Sequence, residues 1–561
     1  MASSPEERRR AGVAERVRDP GYTPGIRDLG ALLDLLAAED EDLTRAAERA
    51  ILRIEAQNAP RLLRETVERA GPSVRPARGR IARLLGRLVA AELPDAAASE
   101  GAAARAWLTA ALGDVDPKTR HTAARALGKV RGATADERRA IETALLAAWD
   151  AANGDDDRRA LADALGKIGS QAARERLQAS RSAPAVAQRA TRAALMIDRT
   201  AAREKPGAVA LERAAETPVV IRFHTRVGLE PILVEELGDA WRPRVAAPGL
   251  VDGRLVGPLA RAAAVRTALE FGVALDALPV RDDLATTVAT AIMSSRTLAV
   301  LRTYTETGDA PIRFRIAWAR GGHRRALTWR IAELVAASTT ELVNDPTAST
   351  WEVIVDDDDT RVAIELVPRG FDDMRFAYRK EVVPASSHPT IAAALVRLAP
   401  MRDDDVVWDP FVGAGAELVE RALRGPYASL LGTDLERSAV EAARANVAAA
   451  GVARATLEVA DGTTYDPRGV TVIVTNPPMG RRVQRGAHLE LLERFVDHAA
   501  RVLVPNGSLV WAAPEPQRLH LRAERAGLVL ERSLTVDMGG FPAELSVHRK
   551  RVARERRGGR G

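Results

Sequence analysis

Four short stretches hold residues whose types and spacing could do chemistry. In "VVWDPFVGAG" (406–415) an apolar run ends on Asp409 and Pro410, and Gly413 and Gly415 follow. Glycines after a strand let a backbone approach a ligand, and the N-terminus of a following helix favours polar ligand groups. The phosphate-binding pattern Gly-x-Gly-x-x-Gly is incomplete here, and an acid just before the loop suits a cationic ligand better. Asp434 ends the next apolar run, 25 residues past Asp409. Rossmann-like folds hold ribose hydroxyls at that place. Asp461 ends a third run. The fourth, Val472 to Thr475, stops at Asn476-Pro477-Pro478-Met479. Two consecutive prolines remove two backbone donors and fix two φ angles. That corner is stiffer than a turn requires, and it carries an amide side chain. Each acid alone reads as a helix cap or turn residue. Three in register at the ends of consecutive strands read as a site.

These residues need a particular scaffold. The spacing predicts helix 388–399, strand 405–408, helix 416–424, strand 429–433, helix 436–450, strand 455–459, strand 470–475, helix 487–503 and strand 507–513. Alternating helix and strand of this kind implies a doubly wound, mostly parallel sheet over residues 383–550. Residues 217–370 read as an α+β domain. "TPVVIRFH" alternates as a strand and leads to a helix near Pro231, "IRFRIAW" alternates again, "ALTWRIAELVAAST" is an amphipathic helix, and "STWEVIVDDDDTRVAIELV" is two strands around an acidic turn.

Residues 25–200 are rich in Ala, Leu and Arg. "DPKTRHTAARALGKV" (116–130) and "DDDRRALADALGKIG" (155–169) share a pattern whose Leu127 and Leu165 lie 38 residues apart. "GRIARLLGRLV" (79–89) aligns at Leu85-Gly86, and "TRAAERAILRI" (44–54) reads as an earlier copy. Such a period with two helices per unit implies stacked helical hairpins, an α-solenoid that binds partners and carries no chemistry. The alternative is a non-repetitive helical bundle. Residues 198–218 read as a linker.

The 561 residues contain no cysteine. Disulfides, thiolate zinc sites and cysteine nucleophiles are excluded, and a cytoplasmic protein is expected. No metal site is expected. No apolar run reaches the roughly 18 residues of a membrane span, and the first residues lack the apolar core of a secretory signal. The formal net charge is +6 and most of the cations are arginine. Arginine matches phosphate bidentately, so a nucleic-acid partner is permitted. A GC-rich genome alone would give the same bias. The C-terminal "RVARERRGGRG" reads as a disordered basic tail.

Asp-Pro-Phe-Val-Gly-Ala-Gly, then Asp434, Asp461 and Asn-Pro-Pro-Met-Gly, resembles the S-adenosylmethionine-dependent methyltransferases that modify exocyclic amines of bases. Residues 217–370 resemble the THUMP RNA-binding domain. "VPASSHPTIAAALVRLA" (383–399) is similar to the element leading into the catalytic domain of THUMP-containing RNA guanine-N2 methyltransferases. The N-terminal region resembles HEAT-type repeats and lies outside the usual pattern of that family. The resemblance implies S-adenosylmethionine as donor. Asp434 would bind its ribose and Asp461 its adenine, and Asp409, Pro410, Gly413 and Gly415 would border its methionine end. Asn476 and Pro477 would grip the amine, Pro478 would stiffen the corner, and Met479 would touch the base. The family more often has an aromatic residue there, and Cys and Ser where this chain has Val412 and Ala414. Gly480 and Arg481 agree with the guanine-N2 form of the motif, while Arg481-Arg482 also reads as a solvated pair. The implied target is guanine N2 in a structured RNA, tRNA before rRNA, with a protein partner on the repeats. Adenine N6 is the enzymatic rival. A binding scaffold with a retained methyltransferase fold is the other, and Asn476 and the three acids argue against it.

Overall fold

A computed structural model describes residues 12–551, except 20, 71–74, 92, 180–182, 205–206, 282, 323, 359, 385, 400 and 480–486. Gly480, Arg481, Arg482 and the C-terminal tail lie outside the described residues. The chain divides into two units. One is residues 1–206 with 309–311 and 329–345; the other is 207–308, 312–328 and 346–561.

The first unit is helical. Helices α1 (Ala59–Arg69), α2 (Arg75–Leu88), α3 (Ala98–Ala110), α4 (Pro117–Leu127), α5 (Ala135–Ala151), α6 (Asp155–Ile168), α7 (Gln171–Ala179) and α8 (Pro184–Arg203) follow one another. α2, α4, α6 and α8 pack in sequence as one row, and α1, α3, α5 and α7 lie along a second. The repeated Ala-Leu-Gly explains the first row. A Cβ on Gly86 would stand 2.5 Å from the Cβ of Ala126, one on Gly128 2.9 Å from the Cα of Ala164, and one on Gly166 2.8 Å from the Cα of Ala193. Each glycine thus receives the alanine of the next helix, and Leu85, Leu127 and Leu165 are buried beside it. α8 continues to Arg203, through the start of the expected linker, and residues 208–209 form a strand. The reason lies in its partners. Arg199 donates to Asn344 Oδ1 (2.7 Å) and lies 4.7 Å over the Trp329 ring, and Arg203 makes a bidentate pair with the buried Asp345.

The second unit has two sheets that matter here. In the first, strands 244–247, 250–255, 219–224, 270–274, 361–368, 351–357 and 312–318 pair in that order. The pair 351–357 with 312–318 is parallel. The expected amphipathic helix of 326–339 is present as Arg325–Ser338, and from Trp329 on it belongs to the first unit.

The second sheet positions the acids. Its strands are β1 (Val406–Asp409), β2 (Ser429–Asp434), β3 (Ala455–Val459), β4 (Val472–Thr475), β5 (Ser508–Ala513), β6 (Leu528–Asp537) and β7 (Pro542–Lys550). They pair in the order β3-β2-β1-β4-β5-β7-β6, parallel up to β5 and antiparallel beyond it. Helices α9 (Pro389–Leu398), α10 (Ala416–Arg424), α11 (Arg437–Ala449), α12 (Ala487–Val502) and α13 (Pro516–Arg525) accompany them. Val472, Ile473 and Val474 are all buried because both faces of the sheet are covered. Val407, Val474 and Val510 join the core on one face, and their neighbours Trp408, Ile473 and Trp511 join the core on the other. The helix and strand expectations for 388–513 hold to within two residues at each end. The hairpin β6–β7, which completes the sheet, was not among them.

No single helix among the described residues is long and apolar enough to cross a membrane. A bent pair, Leu284–Ile292 with Ser295–Thr303, is apolar enough together, but its Val288, Ile292 and Leu301 are buried in the protein. No group of three metal-ligating side chains occurs among the described residues.

Candidate active site

β1 and β4 are parallel neighbours at the centre of the sheet, so Asp409 and Asn476 stand at adjacent carboxyl ends. Asp409 is fully buried. Its Oδ1 accepts the Phe411 N–H (3.1 Å), and the Thr475 hydroxyl beside the carboxyl is a further hydrogen-bond partner. Burial, and then the neighbouring Glu417 carboxylate, push its pKa well above the usual range.

The loop after Asp409 turns back on itself. Gly415 donates to the Val412 carbonyl (2.7 Å), and Val412 donates to the Thr433 carbonyl on β2 (2.9 Å). Gly413 and Gly415 both have positive φ, +49° and +82°, which a side chain would oppose. Gly415 also lies against Ala443 of α11, whereas the space beside Gly413 is open. Asp434 ties loop to strand: it accepts from Gly413 N–H and from Glu436 N–H, each at 3.0 Å. Its remaining lone pairs can accept hydroxyls. Leu435 beside it is 64% exposed and offers an apolar face.

Asp461 follows β3 and accepts from the backbone and the hydroxyl of Thr463, both at 2.8 Å. The backbone bond from Thr463 is the main cause of its lowered pKa. Gly462 lets this loop touch the first, since a Cβ there would stand 2.4 Å from the Pro410 carbonyl oxygen. The three acids therefore sit on adjacent loops, as their register implied.

The corner after β4 is partly buried. Pro477 is buried, Pro478 is exposed, and Met479 is half-buried against the apolar core. Asn476 is half-buried. Its Nδ2 donates to Ser387 Oγ (2.9 Å), and its Oδ1 is buried with no partner among the described residues. A buried acceptor without a partner is costly, and such groups mark functional positions or bound ligands.

Four residues of this site were not singled out from the sequence. Ser387 holds the Asn476 amide and donates to Glu417 in the first turn of α10. Asn446 is buried on α11. Its amide donates to the Ala414 and Glu381 carbonyls and accepts from the Lys380 and Glu381 N–H groups, fixing the glycine loop from behind. Gly462 is the fourth. Beside Ser387, His388 caps α9, and burial with Arg226, Arg379 and Arg375 nearby lowers its pKa to about 4, so it is neutral at pH 7.

The residues fit a donor with a cationic end and a ribose. The buried Asp409 carboxyl suits the first and the acceptor oxygens of Asp434 the second. Residues 377–541 match the family model described as "UPF0020: RMKL-like, methyltransferase domain". A tRNA (guanine(10)-N2)-dimethyltransferase of Methanothermobacter thermautotrophicus is 30% identical over 178 residues, which are 29% of this chain and 52% of that protein. The U6 snRNA (guanine-N(2))-methyltransferase THUMPD2 of Bos taurus is 29% identical over 154 residues, 27% of this chain and 30% of that protein. The chain thus spans about half the length, or less, of these curated relatives. The crystal structure of TrmN from Thermus thermophilus aligns over 59% of this chain and 99% of that one, with 24% identity and a TM-score of 0.49.

Proposed function

We propose that this chain transfers the methyl group of S-adenosylmethionine to the exocyclic N2 of guanine in a structured RNA, tRNA before rRNA. The observation that supports it most is the buried, unpartnered Oδ1 of Asn476, on an amide whose other end is held by Ser387. An exocyclic amine is a poor nucleophile because its lone pair is delocalised into the ring. Asn476 Oδ1 and the Pro477 carbonyl accept its two N–H bonds. That grip favours tetrahedral nitrogen and aims the lone pair outward, and the prolines keep both acceptors still beforehand. Bound in the site, S-adenosylmethionine supplies an electrophilic methyl on a sulfonium. Asp434 would hold its ribose hydroxyls and Asp461 its adenine amine, and the exposed Leu435 would offer an apolar contact. Asp409, Pro410, Gly413 and Gly415 would border its methionine end, and a positive charge there would favour the ionised form of Asp409. No strong base is needed. The nitrogen proton becomes acidic only once the methyl is attached, and a carbonyl or water takes it.

Gripping an amine this way would also serve adenine N6. Guanine N2 is preferred because both curated relatives are named for it, one on tRNA and one on U6 snRNA. Residues 217–370 are read as a THUMP-like RNA-binding domain and residues 25–200 as HEAT-like repeats that hold a protein partner. The two helical rows and their glycine–alanine contacts support the second reading.

Asn476→Ala tests the grip. Losing a preorganised polar group should lower the methyl-transfer rate about 100-fold or more, with S-adenosylmethionine affinity by calorimetry unchanged. Single-turnover transfer of labelled methyl to small RNA from a deletion strain reads the rate. A parental rate would leave the corner as only a turn.

A further inference from the structure

An asparagine amide is nearly symmetric in shape, and only one of its two orientations can hold an amine for attack. With Oδ1 toward the amine it accepts N–H. With Nδ2 toward the amine it would donate to the lone pair that must attack. Something must choose between them. The partner of Nδ2 is Ser387 Oγ, at 2.9 Å, and a hydroxyl alone cannot choose, since it can donate or accept. Here its one proton is committed. Ser387 donates to Oε1 of Glu417, which is 3% exposed in the first turn of α10. A carboxylate only accepts. With Glu417 ionised the chain of bonds has one direction, from Asn476 to Ser387 to Glu417, and Oδ1 is left outward.

We infer that Ser387 and Glu417 are positioning residues that fix which end of the Asn476 amide meets the target nitrogen. The inference rests on the amine-methylation reading above and adds the device that orients its key group. The helix N-terminus accounts for an acid in this turn but not for burying it. A buried carboxylate with no ion-pair partner among the described residues is a cost to the fold. Burial pushes its pKa to about 7, and the Ser387 bond pulls the other way.

The test is single-turnover methyl transfer from tritiated S-adenosylmethionine to small RNA from a deletion strain, with full-length protein. Calorimetry of donor binding reports folding of each variant. Ser387→Ala and Glu417→Leu should each slow transfer by about tenfold or more, as loss of preorganisation does. Leu fills the buried site without an unpaired polar atom. Ser387→Thr, which keeps the hydroxyl, should stay within about threefold of the parent. In an Asn476→Ala background, Ser387→Ala should cost nothing further, because residues acting as one unit are not additive. A parental rate for Ser387→Ala beside a crippled Asn476→Ala would overturn the relay and leave the amine reading standing. So would an equal loss from Ser387→Ala in both backgrounds. A parental rate for Asn476→Ala itself would remove the amine reading too.

Discussion

Glu417 and Asp409 place two carboxyl groups side by side inside the protein, and the donor-free fold bears the cost. Glu417 has a pKa of about 7 in the fold against an ordinary 4.5. Between those values the folded state keeps a proton that the unfolded chain releases. Stability then falls as pH rises through that window, and the penalty is complete above it. Glu417→Gln keeps an acceptor for Ser387 and removes the charge. It should raise the donor-free melting temperature at pH 8 and leave it nearly unchanged near pH 4. Melts that run parallel to the parent across this range would contradict the burial of an ionised Glu417. At this scale the acids and the Asn-Pro-Pro corner were legible because they end apolar runs in register. Glu417 was not, because an acid in the first turn of a helix is already accounted for by the helix dipole. Ser387 was hidden by its neighbours. His388 and Pro389 are an ordinary helix start, and nothing in a serine before them indicates an amide 89 residues away.

Helices and strands were legible wherever the pattern was periodic. The repeated Ala-Leu-Gly of residues 126–128 and 164–166 implies paired helices. The structure adds the reason for the glycine, which is the alanine of the next helix. Gly166→Val should therefore cost about 1–3 kcal/mol by overpacking, since its Cβ would meet the Ala193 backbone. Gly113→Ala, where a Cβ would meet nothing within 4 Å, is the control and should be near neutral. Denaturant melts of the two variants read the difference. Residues 198–203 were misread as linker because the helix there is held by distant partners, Asn344 and Asp345, that no local pattern announces. β6 and β7 went unrecognised for a related reason. Only Leu528 and Val536 of β6 are buried, and Glu531, Arg532 and Ser533 interrupt it, so it lacks the continuous apolar run of the central strands.

Within the second unit, the first sheet's domain and the second sheet are joined by buried charge. Arg266 donates to both oxygens of Glu420 on α10, at 2.6 and 2.8 Å, and Tyr378 donates to the same carboxylate at 2.8 Å. Leu229 and Ile232 enter the core of the second sheet, and Arg397 pairs with Glu236. The helix that presents Glu417 is thus anchored from the domain before it. Arg266→Ala strands a buried carboxylate and should cost about 3–5 kcal/mol. Glu420→Gln should restore part of that loss in the Arg266→Ala background, and equal denaturation midpoints for single and double variants would contradict the anchor.

Across the molecule, the claim that joins residue, sheet and domain is that Asn476 presents an exocyclic amine for methylation. Nucleoside mass spectrometry of RNA from a deletion strain, complemented with the parent or with Asn476→Ala, tests it most directly. N2-methylguanosine at one or more sites should disappear on deletion, return with the parent gene, and stay absent with Asn476→Ala expressed at equal level. Unchanged N2-methylguanosine on deletion, or full return with Asn476→Ala, would contradict it.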